Sequence, residues 1–270
     1  MARASTVQRS RRRPSKVHRD VETVDWSRFE TGRLAADKRA RAGASWRLRM
    51  EQEFLAVGAF ATLVHEVAAE GCDPVVLQIL TRASSDEVRH AEICRRMAQG
   101  ILDAELPTRW KGVPSIPKHA TATASTRVLL HMVEMCCLSE TLTGVFLTEM
   151  LSRMPAGSPR NAVESLLEDE IDHGRVGWAY LAARAQAKEL AGLDAALPAM
   201  LERTVGHVMT YAATRPEADD PAMEAVGYLG LSASEAVYRR TLRDVILPGL
   251  DQCGVDVRRL SRLAAERGWT

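Results

Sequence analysis

Two short runs in the sequence share one pattern of chemically capable residues. Asp86-Glu87-Val88-Arg89-His90 and Asp169-Glu170-Ile171-Asp172-His173 both read Asp-Glu-x-x-His. On a helix, Glu and His at i and i+3 project from one face, so a carboxylate oxygen and an imidazole nitrogen can converge on one cation. One copy is a weak signal. Two copies 83 residues apart, at matching places in two matching hairpins, point to a metal site built twice.

The neighbouring residues set both pairs on apolar stripes. Around the first run the stripe is Val76, Leu80, Ala83, Glu87, His90, Ala91, Cys94, Met97, Ile101. Around the second it is Val163, Leu166, Leu167, Glu170, His173, Gly174, Gly177, Leu181. A carboxylate buried on such a face costs several kcal/mol unless it is protonated or compensated, and a cation compensates it. A site between helices also needs an inward acid from each partner helix. Glu53 shares a stripe with Ala56, Val57, Phe60, Leu63, Val64 and Val67, whereas Glu51 and Glu66 read as surface charges. Among Glu134, Glu140 and Glu149, Glu140 lies about 15 residues before the turn near Ala156, matching the 170/173 pair about 13 after it; Glu134 falls roughly 9 Å too far away. The expected metal ligands are therefore Glu53, Glu87, His90, Glu140, Glu170 and His173. Four carboxylates balance two divalent cations, and oxygen with imidazole but no thiolate suits iron or manganese.

Four helices must position these residues. The helical period runs from Ser45 to Glu70 before Gly71, and Asp73-Pro74 opens a second helix to about Leu102. Residues 103–121 carry Pro107, Gly112, Pro114 and Pro117, too broken for a helix and long enough to cross a bundle. A third helix follows from about Ser125 to Arg153, and Ser158-Pro159 opens a fourth to Ala191 before Gly192. Short, long, short connections predict two hairpins joined by a crossover. Beyond 192, helices are expected near 195–213, 221–250 and 255–267, interrupted around Pro216, Pro221 and Pro248. Gly174 and Gly177 on the fourth helix each cost about 1 kcal/mol of helix propensity relative to Ala. Close packing against a C-terminal helix or a substrate cavity would account for them, and Gly144 on the third helix fits the cavity.

The 270 residues are 46% apolar and 5% aromatic, values of an ordinary helical globular chain, so the fold class is all-α. The net charge of +1 favours neither a nucleic-acid binder nor an enzyme for acidic substrates. The charge is uneven, however. Residues 1–19 hold Arg3, Arg9, Arg11, Arg12, Arg13, Lys16 and Arg19 and no acid, which leaves 29 bases against 35 acids elsewhere, a net of −6. Without interleaved aromatics this reads as a solvated disordered tail. Residues 20–44 read as a loosely helical lead-in anchored by Trp26 and Phe29, so the expected organisation is 1–44 tail and lead-in, 45–192 bundle, 193–270 extension packed on it. No secretory signal and no uninterrupted apolar window of about 18 residues is found, so no membrane association is expected. Cys72, Cys94, Cys136, Cys137 and Cys253 lack zinc-site spacing and read as reduced thiols of a cytoplasmic protein. His65, His131 and His207 lack an inward acidic neighbour at ligand spacing and read as structural. Glu92 and Asp172, on faces with Arg89, Arg95 and Arg175, read as surface charges.

Over about Trp46–Gly192 the six ligand residues and their order resemble the ferritin-like superfamily of di-iron carboxylate proteins. The resemblance implies a ferritin-like four-helix bundle with additional C-terminal helices, holding two iron ions, with an iron/manganese or manganese pair as alternatives. In that family the Asp before each motif Glu often partners a ligand histidine, a role matching Asp86 and Asp169. Radical-generating ribonucleotide reductase small subunits commonly carry a tyrosine four residues after the first motif histidine; Cys94 stands there, beside the expected centre, which disfavours a tyrosyl radical. Rubrerythrin-like peroxidases carry a rubredoxin-type Cys-x-x-Cys pair that is missing here, and storage ferritins are single compact bundles without some 78 further residues. The resemblance thus implies an oxidoreductase that activates O2 to oxidise a small organic substrate, served by an external electron donor, with a homodimer as one assembly. A ferroxidase that binds iron without an organic substrate is the alternative. A tRNA-modifying hydroxylase would use the basic tail as its RNA arm, and a helical interaction protein with a vestigial site stands last.

Overall fold

The computed structural model describes Val24, Trp26 and residues 34–215 and 219–270, and the basic tail and Phe29 lie outside them. Among the described residues there are eight helices and no strand. The first is α1, Ala36–Glu70, and the second α2, Pro74–Leu102. The Asp73 carboxylate caps α2 by accepting from the Val75 N–H, and Pro74 supplies the preset φ of a first helical residue. With so short a link, α1 and α2 pack antiparallel along their length. Residues 103–123 then cross to α3, Ala124–Arg153, capped by the Thr123 hydroxyl, and a short turn leads to α4, Ser158–Gln186.

The four long helices close a ring in which α1 packs on α2, α2 on α4, α4 on α3 and α3 on α1. The two motif-bearing helices are thereby neighbours. This is the hairpin, crossover and hairpin order that the connection lengths predict. By length and mean hydropathy α3 could cross a membrane, but it is threaded by charged and polar residues, and most of its apolar stretch is buried inside the fold.

Several boundaries differ from expectation. Residues 36–44, expected to be a loose lead-in, form the first turns of α1, because Ala42 and Trp46 are buried and tie that end to the core. Trp26 packs on the same core and lies under the Arg96 guanidinium. The fourth helix ends at Gln186 rather than Ala191, where Lys188 takes φ 60° and the Glu189 N–H returns to the Arg184 carbonyl. The middle of α3, Val133–Ser139, is π-wound instead of α-helical.

The C-terminal third contains α5 (193–212), α6 (Pro221–Glu224), α7 (231–252) and α8 (Arg258–Glu266). One helix over 221–250 was expected. It is divided because Gly227 takes φ 76° at a spot where a Cβ would lie 2.8 Å from both Met150 and Trp46. Pro248, expected to interrupt, is instead carried inside α7, directly after the π-wound turn Leu242–Ile246. The missing proline N–H falls where the hydrogen-bond ladder has already shifted register. Residues from α5, α7 and α8 join the same hydrophobic core as α1–α4, and the Trp46 indole donates to the Val226 carbonyl at 2.8 Å.

Candidate metal centre

Glu87 and His90 come from α2, Glu170 and His173 from α4, Glu53 from α1, and Glu140 from the first α-turn after the π-wound segment of α3. All six side chains are buried. Glu87 and Glu170 are 1% exposed and both histidines 0%, while Glu53 and Glu140 are 7% and 9% exposed at one edge.

The six form two groups, each within 4.8 Å, that could hold metal ions. Glu53, Glu87, His90 and Glu170 make one; Glu87, Glu140, Glu170 and His173 make the other. Glu87 and Glu170 belong to both. The pairing of atoms shows how. His90 Nδ1 lies 3.3 Å from Glu170 Oε1 and 3.6 Å from Glu87 Oε2; His173 Nδ1 lies 3.2 Å from Glu87 Oε1 and 3.6 Å from Glu170 Oε2. Each shared carboxylate therefore turns one oxygen to each imidazole. All four of these oxygens and both Nδ1 atoms are buried without a hydrogen-bond partner. Buried polar atoms are normally satisfied, so six orphans aimed at two common points fit two cations.

The far side of each imidazole is held across the helix pair. His90 Nε2 is 3.3 Å from Asp169 Oδ2 on α4, and His173 Nε2 is 3.5 Å from Asp86 Oδ2 on α2. Each Asp next to a motif Glu thus faces the histidine of the other helix; the Asp169 contact is a hydrogen bond that turns Nδ1 of His90 to the site, whereas the Asp86 contact is an ion-pair approach only. Arg89 in turn holds Asp169 and donates to the Ser165 hydroxyl at 2.7 Å, while Arg82 lies 3.5 Å from Asp86 and donates to Asp172 at 2.6 Å. Arg89 and Arg95 are buried rather than on a surface face, and Glu92 is largely covered by its bonds to Arg95 and Arg96. The spacing of Arg82 and Arg89, seven residues apart on one face of α2, was the available signal. Cys94 is fully buried; desolvation and the nearby acids, chiefly Glu53, hold its thiol well above the ordinary value.

Without an ion, the acids and imidazoles balance one another with protons. Burial pushes Glu53 up to about 8, helped by the charges of Glu87 and Glu170 and opposed by Arg49, whose Nη1 is 3.3 Å away. Burial and the Glu170 charge likewise hold Glu140 well above the carboxylate range. Burial favours neutral imidazoles, but the surrounding carboxylates outweigh it and keep His90 and His173 protonated. Burial also acts against charge on Glu87 and Glu170, yet the close approach and charge of the two imidazolium groups leave both below the usual range. Two anionic acids thus face two imidazolium ions, a neutral set that two divalent cations can replace by displacing protons.

Outside the six, Glu66 sorts differently from the sequence reading, whereas Glu134 stays out of the centre as that reading has it. Glu66, expected on the surface, receives His131 at 2.6 Å and Arg127 at 3.0 Å, and His131 also meets the Pro117 carbonyl at 2.7 Å. This polar knot ties the crossover to α1 and α3. Glu134 is engaged by Arg203 of α5 through both oxygens, at 2.6 and 2.8 Å, and takes no part in the centre. Gly177 serves neither a C-terminal helix nor a cavity. A Cβ there would lie 2.4 Å from the Cys136 Cβ and 2.9 Å from Cys136 and Cys137 backbone atoms, so it lets α4 press on the π-wound turn. Gly174 meets only ordinary contacts at 3.8 Å, and Gly144 only one, at 4.0 Å.

A cavity of about 280 Å³ adjoins the centre between α1, α3 and α5, with Glu53 and Glu140 on its wall. Sequence periodicity could not reveal it, since it depends on where α5 crosses. Compared with families of known proteins, with curated proteins and with solved structures, the chain matches none.

Proposed function

We propose that the chain is a ferritin-like dimetal oxidoreductase that activates O2 to oxidise a small organic molecule. The observation that carries this reading is the pair of buried Glu/His groups sharing Glu87 and Glu170, with a cavity opening at their two outer acids. The hairpin, crossover and hairpin order of α1–α4 supports the ferritin-like placement. Glu53, Glu87, His90, Glu140, Glu170 and His173 would hold two ions, and oxygen-and-imidazole donors without thiolate favour iron, with manganese as a substitute. Iron held by these residues would supply the electrons that reduce O2 for oxidation of the substrate.

The chain's own residues do the rest. Asp169, held by Arg89, orients the His90 imidazole, and Asp86 faces His173 at 3.5 Å with Arg82 beside it. Phe60, fully buried with its ring centroid 5.2 Å from that of His173, covers that side of the centre. Entry is left to the side of Glu53 and Glu140, where the cavity lies.

The test is to load the full chain anaerobically with Fe(II), then admit O2 while recording spectra and oxygen uptake. Two irons per chain with stoichiometric O2 uptake and a new visible or near-ultraviolet band are expected. Continued iron uptake into mineral would instead identify an iron-sequestering protein, and absence of O2 uptake by the loaded protein would reject oxygen chemistry.

A further inference from the structure

We propose that the cavity beside the centre takes a small apolar monocarboxylate, with its carboxylate on Arg215 and its hydrocarbon end toward Glu53 and Glu140. This rests on the reading of the centre as an oxidising site and adds the class of molecule oxidised there.

Charge accounting along the cavity wall carries the argument. Three arginines line it. Arg49 is committed to Glu53, and Arg203 to both oxygens of Glu134. Arg215 has no carboxylate partner among the described residues, although it is only 8% exposed. Its guanidinium donates to the Leu229 carbonyl and to the Ser45 hydroxyl at 3.3 Å, two neutral acceptors for a group with five N–H donors. The rings of Tyr228, Tyr211 and Phe146 surround it at 4.6, 5.1 and 5.5 Å. Rings favour the cation but carry no compensating charge. A buried, permanently charged guanidinium left without an anion is costly, and a carboxylate fits its planar fork through two parallel hydrogen bonds. One uncompensated cation matches a monoanion better than a phosphate dianion.

The apolar lining suits the hydrocarbon body. Trp46, Leu142 and Phe146 give the cavity an apolar flank. Ser45, which touches Arg215, and Glu53 are eight residues apart on α1, about 12 Å along the axis. A carboxylic acid with a body of six to eight carbons, roughly the reach of that span at the small end of ligand cavities, would extend from the arginine toward the centre.

The experiment compares binding of octanoate, octyl phosphate and 1-octanol to the full chain by calorimetry, ion-free and loaded with Mn(II), in the wild type and in Arg215→Gln and Arg215→Lys. Octanoate is expected to bind the ion-free wild type at least tenfold more tightly than the alcohol or the phosphate. Arg215→Gln should erase that preference while leaving 1-octanol binding unchanged, and Arg215→Lys should retain part of it. The ligand preferences of the wild type alone decide the matter if the glutamine variant fails to fold. Equal binding of octanoate and octanol, a preference for the phosphate, or octanoate binding that requires Mn(II) and survives Arg215→Gln would overturn the proposal; the last would mean direct ligation of the metal. Oxygen uptake measured in parallel separates the two readings. Arg215-dependent octanoate binding with no O2 uptake sinks the oxidase reading alone, and O2 uptake with no carboxylate preference sinks this one alone.

Discussion

Glu87 and Glu170 differ from the other four residues of the two groups in turning an oxygen to each imidazole. Removing one of them should therefore damage both halves of the centre, whereas removing Glu53 should damage one. Glu170→Ala is expected to lose both ions and Glu53→Ala to keep one, read as metal per chain after desalting, with circular dichroism confirming that both stay helical. Equal loss in the two variants would refute the sharing. Asp169→Asn should weaken metal binding about 10–100-fold through His90 orientation, measured by competition with a chelating dye. Because the carboxylates hold His90 and His173 protonated in the ion-free protein, and a ligand imidazole must be neutral, affinity should fall as pH falls and rise as pH rises. All six residues could be read from spacing and stripes, since burial of an acid on an apolar face is a local pattern. Glu66 and Arg215 could not, because their partners come from elements whose rotation and crossing only the tertiary structure sets.

At the scale of elements, the π-wound segment Val133–Ser139 shapes the wall from which Glu140 projects. The Ser139 hydroxyl donates to the Glu134 carbonyl at 3.1 Å, and Gly177 lets α4 lie directly against Cys136. Gly177→Ala would press a methyl group into backbone and is expected to destabilise by about 1–3 kcal/mol. Gly174→Ala, with only ordinary contacts, should be neutral or gain up to about 1 kcal/mol of helix propensity. Urea unfolding of the ion-free protein compares the two, and similar effects would contradict the close-approach account. Element order and most starts were legible because caps and prolines are local signals. The π turns were not, since the apolar stripe of α3 stays buried whether the helix is α- or π-wound. The break at Gly227 was hidden too, as its cause is the approach of Trp46 and Met150 from other helices.

For the whole molecule, the centre is a set of buried acids and imidazoles that folding gathers and that metal ions could bind. Ions that bind the folded chain alone add about 2.7 kcal/mol at one hundred times their Kd, so Mn(II) should raise the midpoint of thermal unfolding by several degrees and a chelator should reverse it. The C-terminal helices share the core with α1–α4 and close the cavity over Glu53 and Glu140, which ties access to the site to the packing of α5. The most direct measurement is the stoichiometry of metal binding by anaerobic titration of the purified full chain with Fe(II) or Mn(II). Two ions per chain, lost in Glu170→Ala, are predicted; one ion or none in the wild type would contradict the two-ion centre.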